Sequence, residues 1–286
     1  MMDRYINCIV HNSSEGQLLI GKEKTALFDC GMLFCADETI NNVKNALKDR
    51  PLDYIFMTHT HYDHIGALPF FRNVWSDVQI VTCQAGAAVL LKDTPRRVIR
   101  ELSLNAAKTN GITRDLSYND DAFAADIIVK DGDKIPLGEI SVEVLETPGH
   151  TRDSLCYFIP EMRLLLLNET PGVLMPDGFM YPCYLTSYND SIKSIEKCRD
   201  MPYKFLSLPH RGIANDEDTN EYFDKALTAN VTCRDFIIEM KEKNHNEEEM
   251  LDLFFKKYGN ETLLSFQPKE AFMANARATI NCTLKE

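Results

Sequence analysis

Apolar runs and their spacing predict an α/β body over most of the chain. Helical spacing of apolar positions predicts helices at 37–48, 85–91, 96–108 and 191–198. Short apolar runs bounded by turn residues predict strands, at residues 5–10, 17–20, 25–28, 53–57, 78–81, 127–129, 140–145, 155–159, 163–167 and 204–208. The residues from 164 to 167 are all apolar, which is typical of a strand that is covered on both faces.

The pattern changes near residue 215, after which the spacing predicts helices and no convincing strand. One tail helix begins at 247–249, where three glutamates suit the positive end of the helix dipole, and Gly259 ends it. Pro268 suits the first turn of the next helix. We therefore divide the chain into a body, residues 1–215, and a helical tail, residues 216–286, which either caps an active site or forms a homodimer contact.

Charge, hydropathy and cysteine usage narrow the range of partners. The net charge is −12 and no run is rich in Lys or Arg, which disfavours nucleic acid as a partner. No apolar run reaches 18 residues, so we expect no membrane span, and the N-terminus lacks a secretory leader pattern. The nine cysteines are scattered without a CxxC pair, which fits a reducing cytoplasm.

A dense cluster of metal-binding residue types directly follows the predicted strand at 53–57. It consists of His59, His61, Asp63 and His64. Side chains two apart on an extended backbone point the same way, so His59 and His61 can bind one ion together, while Asp63 and His64 can hold a second. Imidazole and carboxylate suit zinc, and also iron or manganese. Solvated loop histidines are the alternative, which this density of ligand types disfavours.

Three further segments place a metal-binding residue type just after a predicted strand. His150 lies in a Thr-Pro-Gly-His-Thr turn, Glu169 follows the apolar run that ends at residue 167, and His210 follows the last strand. Taken alone, each is as well explained by a turn histidine or a solvated glutamate. Their shared placement after strands favours a common site.

These motifs, in this order, resemble the metallo-β-lactamase fold superfamily. The HxHxDH run, the TPGHT segment, the acidic residue after an apolar strand and the late histidine all lie between residues 5 and 212. The resemblance implies a four-layer αββα sandwich with two divalent ions, preferably zinc, at one edge between the sheets. It also implies these ligands by position: His59, His61 and His150 on the first ion, Asp63, His64 and His210 on the second, and Glu169 at the place of the bridging carboxylate.

Glu169 departs from the family pattern, which usually has aspartate there. Glutamate is longer by one methylene, or about 1.5 Å. It can bridge both ions with its loop retracted, bind one ion only, or intrude on the space for substrate. Asp177, in a Pro-Asp-Gly segment, is a fallback ligand whose alternative is a simple turn residue.

The two-ion site that the resemblance implies predicts a metal-dependent hydrolase. A hydroxide shared by two ions has a lowered pKa, and one ion can polarise a carbonyl group. We expect Asp63 to orient that hydroxide, and Tyr181 or Tyr184 to bring a phenol to the leaving group, with ordinary packing as the alternative for either tyrosine.

We expect the substrate to be a small molecule with a thioester, lactone or simple ester bond. Phosphodiester cleavage is a second enzymatic hypothesis, which the acidic charge disfavours. The hypothesis from another class is a non-catalytic metal-binding sensor in which Glu169 blocks the open coordination position.

Overall fold

Two six-stranded sheets form the centre of the computed structural model, which describes residues 2–12 and 14–286. The first sheet has its strands in chain order: β1 (Tyr5–Asn7), β2 (Gln17–Ile20), β3 (Thr25–Phe28), β4 (Tyr54–Phe56), β5 (Gln79–Cys83) and β6 (Ile127–Val129). Strands β1 to β3 pair antiparallel, whereas β3 to β6 pair parallel. Parallel pairing brings the carboxyl ends of β3 and β4 to the same edge of the sheet.

The second sheet has the order β14-β13-β10-β9-β8-β7. The remaining strands, in chain order, are β7 (Lys134–Pro136), β8 (Ser141–Glu146), β9 (Leu155–Ile159), β10 (Leu164–Leu166), β11 (Val173–Leu174), β12 (Met180–Tyr181), β13 (Phe205–Leu208) and β14 (Gly212–Ile213). Strands β11 and β12 form a separate two-stranded sheet. Strands β8, β10 and β13 run in one direction, because β8 and β10 are both antiparallel to β9 and β13 is parallel to β10.

Ten α-helices surround the sheets in the described part of the chain. They are α1 (Ala36–Leu47), α2 (Tyr62–Ile65), α3 (Leu68–Val74), α4 (Gln84–Leu90), α5 (Asp93–Thr109), α6 (Tyr188–Arg199), α7 (Asp216–Glu242), α8 (Glu247–Tyr258), α9 (Glu261–Phe266) and α10 (Lys269–Thr283). None of the described helices is both long and apolar enough to span a membrane. All nine cysteines are free and buried.

Alternation along the strands builds a four-layer sandwich. In β3, Ala26 and Phe28 pack between the two sheets, while Leu27 packs with the helices on the outer face of the first sheet. Tyr157 of the second sheet contacts Phe28, with ring centroids 5.2 Å apart. Helices α6 and α7 cover the outer face of the second sheet. This helix–sheet–sheet–helix order confirms the predicted fold class.

The tail contains four helices: α8 and α10 match the two that were located by their end signals, and α7 begins at Asp216. Its helices share an aromatic core with the β11–β12 sheet, in which Tyr181, Phe254 and Phe272 are fully or almost fully buried. The tail therefore packs onto the body through a continuous apolar cluster.

The predicted elements differ from the structure mainly where strands are short. Strand β1 ends at Asn7 rather than residue 10, and the chain then turns so that the Cys8 amide donates to the Gly16 carbonyl. Strands β7, β11, β12 and β14 were not predicted, because two or three residues are too few to show alternation.

Removing the Phe272 ring should test how strongly the tail core stabilises the protein. Phe272 is fully buried against Phe254 and Tyr181, so Phe272→Ala should lower the free energy of unfolding by about 3–5 kcal/mol. Leu284→Ala, at the exposed end of the same helix, should lower it by less than about 1 kcal/mol. Urea denaturation measures both, and equal losses would contradict a tail that is packed into the fold.

Candidate metal centre

Strand ends from both sheets place the predicted ligands at one edge of the sandwich. His59 follows β4 in the first sheet, while His150, Glu169 and His210 follow β8, β10 and β13 in the second. Each set of strands runs in one direction, so their following loops emerge on the same side. All seven predicted ligands are brought together here, in two groups.

The first group contains three histidines and Glu169. The ligand atoms of His59, His61, His150 and Glu169 all lie within 4.8 Å of one another. His150 Nε2 is 3.0 Å from His61 Nδ1 and 2.7 Å from Glu169 Oε2. His59 Nε2 is 3.7 Å from the same Glu169 oxygen. Three imidazoles and one carboxylate oxygen thus converge on one point.

The second group uses the other oxygen of Glu169. It contains Asp63, His64, His210 and Glu169, whose ligand atoms also lie within 4.8 Å of one another. His210 Nε2 is 2.8 Å from Glu169 Oε1, and Asp63 Oδ2 is 3.8 Å from His64 Nε2. Of the three arrangements that the longer glutamate side chain permits, the geometry favours the one in which Glu169 spans both groups.

Two buried ring nitrogens show that these groups suit metal ions. Within the described residues, Nε2 of His59 and Nε2 of His64 have no hydrogen-bond partner, although both rings are buried. Buried polar atoms rarely remain without a partner. Nitrogen and carboxylate donors that converge on the same point are the donor set that zinc and similar divalent ions bind. The residues present therefore fit two divalent ions.

Hydrogen bonds at the opposite ring nitrogens fix the orientation of four of the imidazoles. His64 Nδ1 lies 2.7 Å from Asp29 Oδ2, and His150 Nδ1 lies 2.8 Å from the Cys183 carbonyl oxygen. His59 Nδ1 lies 3.1 Å from Thr58 Oγ1, and His210 Nδ1 lies 3.4 Å from the Ser14 carbonyl oxygen. Such outer partners select the tautomer and the direction of each ligand nitrogen.

Asp29 is an orienting residue that the sequence analysis missed. Its carboxylate accepts hydrogen bonds from the Thr58 amide at 2.7 Å and the Thr58 hydroxyl at 2.6 Å, in addition to its contact with His64. It follows β3, which is the parallel neighbour of β4. A carboxylate after a strand that adjoins the histidine strand was the available signal.

Glu15 is a second missed residue. The buried Glu15 carboxylate accepts a hydrogen bond from the His210 amide, and burial raises the pKa of this carboxyl.

His210 has a φ of 62° and Asp29 a φ of 55°, so two side chains of the site extend from left-handed backbone. Such backbone is strained for residues other than glycine, and surrounding contacts must hold it in place.

Burial and neighbouring charges shift the pKa values of the site in opposite directions. Burial, with the nearby His150, lowers the pKa of His61 to about 3. Burial also opposes the charged form of His64, but the carboxylates of Asp29 and Asp63 outweigh it and raise the pKa of His64 to about 10. Burial raises the pKa of the Asp63 carboxyl.

A cavity of about 190 Å³ lies over the two groups. Its floor includes His61, Asp63 and Glu169, and its roof comes from α9 and α10 of the tail. The tail therefore caps the candidate site, which was one of its two predicted roles.

The structure separates the two tyrosines that were predicted as catalytic. Tyr181 lines the cavity, and its buried hydroxyl has no hydrogen-bond partner among the described residues. Tyr184 belongs to the same tail core, but its hydroxyl is 3.1 Å from Thr283 Oγ1 and its side chain does not line the cavity. Contrary to its prediction, Tyr184 brings no phenol to the cavity, because its hydroxyl lies beside Thr283 of α10. Asp177 is an exposed turn residue that accepts from the Phe179 amide.

Replacing the Asp29 carboxylate should weaken metal binding without removing a ligand. Asp29→Asn should lower the affinity for Zn²⁺ by about 10- to 100-fold, because His64 loses its charged outer partner. Asp53→Asn is a matched control, since Asp53 accepts from the amide and hydroxyl of Thr25 much as Asp29 does from Thr58. Calorimetric titration with Zn²⁺ checks both variants, and equal affinity in Asp29→Asn and the unaltered protein would contradict the role.

Comparison with known proteins agrees with this geometry. The profile of the metallo-beta-lactamase superfamily matches residues 17–210. The "Probable metallo-hydrolase YqgX" of Bacillus subtilis is 24% identical over 176 residues, which are 59% of this chain and 75% of that protein. A hydroxyacylglutathione hydrolase of Bartonella tribocorum is 28% identical over 130 residues, which are 45% of this chain but 38% of that protein.

A solved metallo-beta-lactamase family protein of Thermus thermophilus has the same fold. It superposes with a TM-score of 0.59 at 16% identity and covers 95% of this chain and 87% of its own. The profile match includes every residue of the two ligand groups and extends over well more than half of the chain. The chain therefore belongs to the metallo-beta-lactamase superfamily and is, at the level of that family, a metal-dependent hydrolase.

Proposed function

We propose that this protein hydrolyses a carboxylic ester-type bond, namely a thioester, lactone or simple ester, of a small molecule. The observation that carries the proposal is the pair of ligand groups that share Glu169 on the floor of a small cavity. A water molecule and an acyl group brought into that cavity would lie beside both groups at once.

The two groups would hold two divalent ions, for which we propose zinc, with iron and manganese as alternatives. His59, His61 and His150 would bind the first ion, and Asp63, His64 and His210 the second, with Glu169 between them. Bound there, such ions supply Lewis acidity, which lowers the pKa of water and polarises a carbonyl group.

Asp63 and Tyr181 are also placed to assist the reaction. The Asp63 carboxylate faces the cavity and can hold an attacking water by a hydrogen bond. Burial raises the pKa of the Tyr181 phenol well above its usual range, so the phenol stays protonated at neutral pH. Its unpartnered hydroxyl can therefore donate to the oxygen or sulfur atom that leaves.

The lining of the cavity favours an acyl substrate over a phosphodiester. None of the described residues that line it is Lys or Arg. A phosphodiester keeps a negative charge throughout its cleavage and is usually bound by such cations. The hydroxyacylglutathione hydrolase relative, by its name, hydrolyses an acyl compound, which supports the same choice.

We also propose a reducing compartment such as the cytoplasm. The nine cysteines are all free and buried, and none is paired with another in a disulfide. Free thiols persist where cellular reductants keep disulfides from forming.

Hydrolysis by the metal-loaded protein is the direct test. Protein loaded with two Zn²⁺ per chain should hydrolyse at least one class in a panel of short thioesters, esters and lactones. Asp63→Asn should lower kcat/KM by about 100-fold or more, whereas Asp177→Asn, in an exposed turn, should leave it unchanged. Metal content measured by mass spectrometry separates a loss of catalysis from a loss of ions.

The Glu169→Asp variant distinguishes the hydrolase proposal from the hypothesis of a non-catalytic metal-binding sensor. If loaded protein is inert on the whole panel while Glu169→Asp gains activity, Glu169 blocks the site and the hydrolase proposal fails. If Glu169→Asp loses activity along with one ion, Glu169 acts as the shared ligand.

Removal of the Tyr181 hydroxyl should slow turnover with little effect on folding. Tyr181→Phe should lower kcat by about tenfold, the effect of losing one hydrogen bond in the transition state. Tyr184→Phe is the matched control, because its hydroxyl contacts Thr283 away from the cavity. Steady-state kinetics on the best panel substrate measures kcat for both variants. Equal kcat values would show that the Tyr181 hydroxyl does not take part in the reaction.

A further inference from the structure

The cavity roof contains one polar pair in an otherwise apolar surface. Gln267, between α9 and α10, and Asn275, on α10, line the cavity, and Asn275 Nδ2 donates to Gln267 Oε1 across 3.2 Å. The other tail residues that line it are apolar: Leu263, Phe266, Ala271 and Ala274. Each amide keeps unused hydrogen-bonding capacity, so the pair offers both a donor and an acceptor to a ligand.

The charge of the lining is unsuited to an anionic substrate group. Among the described lining residues, the only formal charges outside the histidines are the carboxylates of Asp63 and Glu169. Any ions at the floor would be engaged with the reacting carbonyl group. A second, anionic group of the substrate would thus enter a largely apolar space with no cation to pair with, which is unfavourable.

The size of the cavity limits the size of the substrate. Its volume of about 190 Å³ is below the roughly 300–1,000 Å³ that is usual for sites of drug-sized ligands. A thioester of a large anionic carrier thiol would have to leave most of the carrier outside the roof. The space suits a compact acyl compound.

We propose that the site selects small, uncharged acyl substrates, and that the Gln267–Asn275 pair binds a neutral polar group of the substrate, such as an amide. This rests on the proposed hydrolysis of an ester-type bond. The two amides determine specificity: they recognise the substrate at the end opposite the reacting bond. Affinity for a matched carboxylate is low because the roof has acceptors but no cation.

A pair of isosteric substrates tests the selection. The S-ethyl thioester of glutaramic acid is uncharged, and that of glutaric acid carries a carboxylate in place of the amide. The zinc-loaded protein should show a kcat/KM for the amide at least about tenfold above that for the carboxylate, as expected for a half-buried polar pair that leaves a charge unpaired. Equal values, or a preference for the carboxylate, would overturn the proposal.

Placing a cation in the roof should reverse the preference. Asn275→Lys should lower the ratio of amide to carboxylate kcat/KM by about tenfold or more. Asn281→Lys, on an exposed position of the same helix, adds the same charge outside the cavity and should leave the ratio unchanged. If both variants change the ratio equally, the preference comes from the overall charge of −12 and the roof has no such role. Gln267→Lys should repeat the result if Asn275→Lys does not fold.

Failure of the proposed hydrolysis would be visible separately. If the zinc-loaded protein is inert on the whole panel of thioesters, esters and lactones, the hydrolase proposal fails, and selection is then measured by binding of the non-reactive N-ethyl amides of the same two acids. A larger rise in Tm of the zinc-loaded protein with the uncharged compound, lost in Asn275→Lys but kept in Asn281→Lys, would still support the roof as a neutral-group site. An equal or larger rise with the carboxylate would overturn it.

Discussion

The carboxylate of Glu169 lies between two clusters of imidazoles, and the arrangement of the site depends on it. One oxygen faces His150 and His59, while the other faces His210. The histidines hold the pKa of Glu169 well below its usual range although burial opposes the charged form. A buried carboxylate is stable only where cations or donors surround it, so Glu169 and the five histidines require one another.

The two sheets contribute unequal but complementary halves of this centre. The HxHxDH loop and Asp29 come from the first sheet, whereas His150, Glu169 and His210 come from the second. Ions bound to both halves would join the sheets at one edge, so their binding energy would add to the stability of the fold. Glu15 strengthens the same junction, because it leaves the loop before β2 and accepts from the His210 amide near the end of β13.

The sequence predicts this site better than it predicts the contacts that support it. His59, His61, Asp63 and His64 are recognisable because four residues of metal-binding type follow one strand, and Glu169 because an acidic residue follows an apolar run. Asp29 shows only that a carboxylate follows a strand, and Glu15 shows no local signal: they act through partners 35 and 195 residues away, which only strand pairing brings near. Tyr181 and Tyr184 could not be told apart, since the two-residue strand β12 shows no alternation.

The helical tail forms the cavity roof from residues that are separate from the ligand groups. The residues of the two ligand groups lie between positions 59 and 210, while the roof lies between 263 and 275. Substitutions in the roof would therefore change which compound fits the proposed site while leaving the ligand groups of the floor intact. Conversely, a roof packed onto β11 and β12 transmits changes in its own helices to Tyr181 below it. In proteins built this way, substrate preference would change first through the carboxyl-terminal helices, while the residues of the two ligand groups stay the same.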